Sequence, residues 1–216
     1  MTADDTKMAL ENFFFKFGER TYKKGDIVIR ADDQPTGVFF LKSGHVKMSS
    51  TFKNGTETAV NIFKPGTFFP MTWLIGGIPN DYSYTAITNI KLFKAPKDEF
   101  EAFLKANPEI LFDLMRRVFI GLDGMLFSLK YLLHGNSYER VAVVLYMAAK
   151  RFGSGKNRDV QISIPLTHFD VSHYAGLTRE TTTIMINKLA KAKLISQKKR
   201  KITVADTEAL AKVFMD

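Results

Sequence analysis

Cysteine is absent from all 216 residues. That excludes disulfides, a thiolate nucleophile, zinc–thiolate sites and cysteine-held iron–sulfur clusters. Histidine is scarce: His45, His134, His168 and His173 show no metal-ligand spacing such as His-x-His or His-Glu-x-x-His. There is no Gly-rich loop ending in Lys-Ser/Thr and no Gly-x-Ser-x-Gly elbow. A β-barrel enzyme with a helical appendage would need convergent His, Glu or Asp on its strands. The alternating runs carry almost none, so no enzyme is expected and no cofactor is evident. No stretch approaches the roughly 20 apolar residues that span a bilayer. The opening MTADDTKMALENFFFKF is acidic first, lacks a long apolar core and does not read as a signal peptide. A cytoplasmic protein without a membrane partner is the expectation.

What is present is unevenly distributed. Residues 137–216 hold 14 Lys/Arg against 7 Asp/Glu, whereas residues 1–136 hold 17 against 15. Phenylalanine runs the other way, with 16 of 19 in the first 136 residues. A near-neutral, aromatic front is therefore followed by a basic back, and a basic domain attracts polyanions.

From Tyr22 to Ala95 the signals are strands and turns. Alternation is read in Asp26-Ile27-Val28-Ile29, Val38-Phe39-Phe40-Leu41, Val46-Lys47-Met48 and Ala59-Val60-Asn61-Ile62-Phe63. Asn54-Gly55 between two such runs predicts a hairpin. Regularly spaced short strands suggest a barrel or β-roll. Phe13-Phe14-Phe15 and Phe17 read as core or a packing patch. Phe68-Phe69-Pro70-Met71-Thr72-Trp73 suits either an apolar pocket or ordinary roll core.

Asn107-Pro108-Glu109 reads as a helix start with Asn107 as N-cap. Leu111, Met115, Val118, Leu122, Met125, Leu129 and Leu132 then recur at alternating spacings of four and three. This pattern predicts a helix over 108–134 whose seam either joins two copies or packs on its own domain. The persistent 3.5-residue period favours a homodimer. Gly135-Asn136-Ser137 ends the pattern, and a second amphipathic helix is predicted over 137–152. Three parts follow: a β-roll domain over 1–106, a dimerisation helix and hinge over 107–136, and a basic C-terminal domain over 137–216.

The last part is the most informative. Thr167 can cap a short helix, with Asp170 near the capping-box position. Gly176 ends that helix where a left-handed backbone suits glycine. Thr178 caps a second helix, with Glu180 in its first turn. A short helix, a Gly-containing turn and a second capped helix make a helix-turn-helix. Leu194-Ile195-Ser196 and Ile202-Thr203-Val204 read as strands around the basic turn Gln197-Lys198-Lys199-Arg200-Lys201, a wing suited to phosphate. Arg179 can bond guanine O6 and N7, and Glu180 can accept from cytosine N4. Thr178, Thr181, Thr183, Thr167, His168 and Lys188 are further candidates for phosphate or base contacts. Each feature alone is usually a solvated cap or a soluble turn; together, in this order, they predict binding to double-stranded DNA.

Here GLTRETTT resembles the recognition helix of the cyclic-AMP receptor protein and fumarate–nitrate-reductase regulator family. KKGDIVIRADDQPTGVFFLKSGHVKM resembles that family's β-roll core, and NPEILFDLMRRV its dimer-helix start. The resemblance covers nearly the whole chain. It implies an α+β protein: an effector-binding β-roll (a double-stranded β-helix), a long dimerisation helix, and a C-terminal winged helix-turn-helix reading palindromic promoter DNA. It also implies RNA polymerase as a partner. Departures from the family pattern matter. A third base-reading Arg of the family falls on Ile184. The Gly-Glu and Arg-Ser pairs that hold a cyclic nucleotide fall on Pro70-Met71 and near Asn80-Asp81, with no Arg from Thr67 to Asn89. Polar contacts to the nucleotide base fall near Met125 and Leu126. The expectation is a transcription regulator whose effector is not a cyclic nucleotide. A pocket of Phe68, Phe69, Pro70, Met71, Asn80, Asp81, Met125 and Leu126 suits a small apolar effector. The alternative is an effector-free regulator whose roll serves protein contacts alone.

Overall fold

The structure is a computed structural model that describes residues 3–55, 57–198 and 201–215. The chain divides into two compact units, Met1–Phe119 and Ile120–Asp216. The long helix α4 (Pro108–His134) runs through the division and contributes to both.

In the first unit, α1 (Ala3–Phe14) precedes eight strands: β1 (Glu19–Tyr22), β2 (Ile27–Ile29), β3 (Val38–Ser43), β4 (Val46–Thr51), β5 (Glu57–Phe63), β6 (Phe68–Phe69), β7 (Ser83–Ala86) and β8 (Ile90–Ala95). A single turn, α2 (Met71–Leu74), separates β6 from β7, and α3 (Lys97–Ala106) follows β8. The strands form two antiparallel sheets, ordered β1-β8-β3-β6 and β2-β7-β4-β5. This is the β-roll. Asn54-Gly55 does turn the β4–β5 hairpin, with Gly55 at φ 81° and its N–H donating to the Phe52 carbonyl.

Two cores form. Between the sheets lie Ile29, Phe39, Leu41, Val46, Phe69, Tyr84, Ala86, Ile90 and Leu92. The other face of the β1-β8-β3-β6 sheet offers Val38, Phe40, Phe68, Phe93 and Ala95 to Leu10, Phe13 and Phe14 of α1, Phe100 and Leu104 of α3, and Ile110 and Leu114 of α4. The run Val38-Phe39-Phe40-Leu41 is therefore not an alternating one. All four side chains are buried because helices cover the sheet face that the roll interior does not. Phe13 stacks on Phe103 at 4.4 Å, and Phe14 on Phe40 at 5.0 Å. The phenylalanine cluster is thus mostly core, with Phe15 left exposed beside Phe93 and Lys42. The helix that carries it was not legible as one.

Asn107 stands before α4 as expected and has a second role. It closes α3, its side-chain amide donating to the Phe103 carbonyl, while its own carbonyl accepts from Ile110 and Leu111. The Pro108 ring forces the chain to restart there, and one residue serves both helix ends.

The second unit holds α5 (Ser137–Phe152), β9 (Gly153–Ser154), β10 (Arg158–Ile162), α6 (His168–Ala175), α7 (Arg179–Lys191), β11 (Ile195–Lys198), β12 (Lys201–Asp206) and α8 (Thr207–Met215). Its sheet is ordered β11-β12-β10-β9. Asn136 caps α5 in a capping box with Glu139. Phe214 of α8 meets Phe127, Tyr131 and Tyr146 edge-on, and the Tyr131 hydroxyl donates to its carbonyl at 2.7 Å. The second half of α4 is fastened to its unit by these contacts.

Candidate nucleic-acid interface

The helix-turn-helix is built by local hydrogen bonds. The Thr167 hydroxyl accepts from the Asp170 N–H at 3.1 Å, and the Asp170 carboxylate accepts from the Thr167 N–H at 2.8 Å. Gly176 stands in the left-handed region (φ 58°, ψ 45°), and the Leu177 N–H closes back onto Ser172 at 3.0 Å. Arg140 of α5 donates to the Gly176 carbonyl at 3.1 Å, holding the turn from behind. Thr178 then caps α7, accepting from the Thr181 N–H at 3.2 Å.

The inner face of α7 is Thr182, Ile186 and Leu189, at i, i+4 and i+7. Opposite it, Arg179, Glu180, Ile184, Asn187, Lys188 and Lys191 are exposed. Ile184 is 61% exposed, large and apolar, on a face otherwise polar. Thr181 and Thr183 are half-buried. The Lys188 ammonium lies over the Tyr138 ring at 4.6 Å, a cation–π contact that holds the charge against α5.

The wing is the hairpin β11–β12. Its register sets Lys198 opposite Lys201, both exposed. Like charges directly across a hairpin disfavour it, so their placement makes physical sense beside a polyanion. Lys199 and Arg200, the expected tip, lie outside the described residues. A cleft of about 490 Å³ opens between Thr167, His168, Arg179, Gln197 and Lys198. His168, a candidate for phosphate or base contact, is half-buried, with Nδ1 2.9 Å from the Thr183 hydroxyl and Nε2 2.8 Å from the Gln197 amide nitrogen.

Within the first unit, the residues expected around an effector face different ways. Phe68 and Phe69 are neighbours on one strand and point to opposite faces, Phe68 to the helix-side core and Phe69 to the roll interior. Pro70 is buried, following a cis peptide bond, and Met71 packs on the helix side. Asn80 is buried, but its amide donates to the carbonyls of Arg30 and Tyr82. Asp81 is exposed. Met125 and Leu126 belong to the second unit and are both exposed. The interior itself holds an aromatic stack: Phe69 lies 5.0 Å from Tyr84 at 8° between planes, 5.7 Å from Phe39 and 5.1 Å from Phe63. Burial pushes the Tyr84 hydroxyl far above the usual phenol range, so it stays neutral.

On α4, Met115, Val118, Leu122, Met125 and Leu129 are exposed, and Leu111 and Leu132 are half-buried. Among the described residues no group of three His, Asp or Glu is arranged to hold a metal, and no helix is long and apolar enough to cross a membrane.

Sequence reading missed Arg140, whose hold on the turn crosses 36 residues, and the pairing of Lys198 with Lys201, which needs the hairpin register. The basic run was the visible signal for the second.

Comparison with known proteins agrees with this geometry. The family model of the cyclic nucleotide-binding domain matches residues 19–107, and that of the Crp-like helix-turn-helix domain residues 139–213. The chain is 28% identical over 196 residues to the global nitrogen regulator of a Nostoc species, covering 90% of this chain and 88% of that protein. It is 28% identical over 174 residues to the HTH-type transcriptional regulator ArcR of Staphylococcus haemolyticus, covering 81% and 76%. In fold it resembles FixK2 of Bradyrhizobium japonicum (TM-score 0.76, 19% identity, 91% and 96% covered). It also resembles a CooA variant of Carboxydothermus hydrogenoformans (TM-score 0.76, 18% identity, 94% and 89% covered). The two family models follow one another as the two units do, and the chain belongs to the cyclic-AMP receptor protein and fumarate–nitrate-reductase regulator family of DNA-binding transcription regulators.

Proposed function

We propose that the chain binds two-fold symmetric DNA as a homodimer joined along α4, reading bases with Arg179 and Glu180 and gripping phosphate with Thr167, Thr178 and Lys198 to Lys201. One observation carries this reading: the outward stripe of α7 beside the opposed Lys198 and Lys201. Ile184 favours apolar contact with a thymine methyl where the family sets an arginine. Selection of bound sequences from random DNA tests it. A palindrome with half-sites about one helical turn apart is expected; recovery of no common sequence would sink it.

The roll, on this proposal, takes no cyclic nucleotide. A cyclic phosphate is a full negative charge, and burying it unpaired costs several kcal/mol. No arginine lies between Thr67 and Asn89, Pro70 has no N–H to donate, and the buried Asn80 amide is already engaged. Titration calorimetry with cyclic AMP and cyclic GMP should give no binding tighter than about 10 μM. Tighter binding together with a gain in DNA affinity contradicts the proposal. If the roll is a sensor, its effector is small and apolar or weakly polar. The Phe39–Phe63–Phe69–Tyr84 stack favours a second reading, in which the filled roll has no effector and serves as a scaffold. Thermal shift against cell metabolites separates the two, because a ligand of the native state must raise the melting temperature. RNA polymerase is the expected partner if the regulator activates.

A further inference from the structure

We propose that His168 is a positioning residue for DNA recognition: a neutral imidazole, protonated on Nδ1, that ties the wing strand to the recognition helix. The inference rests on reading α7 as the recognition helix and β11–β12 as the wing.

The proton inventory leads to it. The Thr183 hydroxyl carries one hydrogen and lies 2.9 Å from the Arg179 carbonyl, which has no hydrogen to offer. The hydroxyl therefore donates there. Its contact with His168 Nδ1 at 2.9 Å must then be one it accepts, so Nδ1 carries a proton. On the other side of the ring, the Gln197 amide nitrogen approaches Nε2 at 2.8 Å. That amide can only donate, so Nε2 holds a bare lone pair. Both conditions are met by one species, the neutral Nδ1–H tautomer.

Placement gives the tie its consequence. His168 is the first residue of α6, Thr183 faces it from the second turn of α7, and Gln197 stands on β11 next to Lys198. The imidazole thus links three elements that carry the base-reading Arg179, the capping Thr167 and a wing lysine. With both ring nitrogens engaged, His168 has none free for phosphate. Its role is to set the distance between Arg179 and Lys198, which line one cleft with it. A group held to the productive geometry raises preference for the correct site more than affinity for DNA in general.

Two measurements test this on the full chain. The first is the nitrogen spectrum of uniformly 15N-histidine-labelled protein at pH 8, with the His168→Gln variant identifying the His168 signal. A pyrrole-type Nδ1 and a pyridine-type Nε2 are expected; the reverse tautomer, or rapid exchange between the two, overturns the proposal. The second is binding to the selected site and to random DNA by wild type, His168→Ala, Gln197→Ala and the double variant. Each single change should cut the ratio of the two affinities about tenfold, and the double change little further, because both break the same tie. Additive losses, or equal losses on both DNAs, overturn it. The tautomer readout involves no DNA, and the preference of Arg179→Ala tests the recognition-helix reading separately.

Discussion

At the scale of single residues, α7 separates its exposed face from packing within one turn. Arg179 and Glu180 are exposed in its first turn. Arg179→Ala and Glu180→Ala should each relax base preference, weakening the preferred site by about 1–3 kcal/mol. Lys198→Ala and Lys201→Ala should weaken all sequences alike and reduce the salt slope by about one per lost phosphate contact. Competition binding at several salt concentrations checks both; wing changes that alter base preference while Arg179→Ala does not would reverse the roles. Thr182, between them and the core, is fully buried, and its hydroxyl finds no hydrogen-bond partner among the described residues. Valine has nearly the same shape without the polar atom. Thr182→Val should stabilise the second unit by about 1 kcal/mol in urea unfolding, the unmet desolvation of the hydroxyl being removed. A destabilised variant would mean that the hydroxyl is satisfied in solution.

At the scale of elements, the turn between α6 and α7 decides how α7 is presented. Gly176 has φ 58°, and a Cβ there would stand 2.7 Å from Arg140 Nη2. The arginine end can swing away, but it would then release the Gly176 carbonyl that it holds. Gly176→Ala should therefore lose about 1–2 kcal/mol from the left-handed backbone alone, and DNA affinity should fall with it. Urea denaturation and binding on the same variant check this. Unchanged stability would show that the turn relaxes into another conformation. The α5 capping box and the α6 capping box act in the same local way, each closing within three residues.

At the scale of the whole molecule, the feature that stands out among the described residues is the exposed apolar stripe of α4. Met115, Val118, Leu122, Met125 and Leu129 repeat on one stripe and are exposed, whereas Ile110 and Leu114 face the first unit's core. On the proposed dimer, one face of the helix serves its own chain and the exposed stripe meets the second copy. Two copies so joined would present two recognition helices to one duplex. Sedimentation should find a dimer at micromolar concentration. Leu122→Glu combined with Leu129→Glu should give a folded monomer with strongly reduced affinity for a palindrome, because charges would face charges across the seam. A wild-type monomer, with and without DNA, would rule the seam out.

What the sequence determined by itself is the set of features settled within about four residues. The Asn54-Gly55 hairpin, the Pro108 start, the Thr167–Asp170 box, left-handed Gly176 and the Thr178 cap all appear where the residues put them. Each depends on a backbone angle or a side chain reaching its own turn, so no distant partner is consulted. The tertiary structure decided which way things face. Phe68 and Phe69 are equally apolar, and only the register of β6 on β3 sends one to the helices and the other to the roll interior. Val38 to Leu41 are buried on both faces because α1, α3 and α4 close over the sheet. Asn107 was legible as a helix boundary but not as the end of α3, since two helices compete for it. His168 looked like a phosphate contact, yet its ring nitrogens meet residues 15 and 29 positions away. Such pairings follow from packing and register, which no local window of sequence contains.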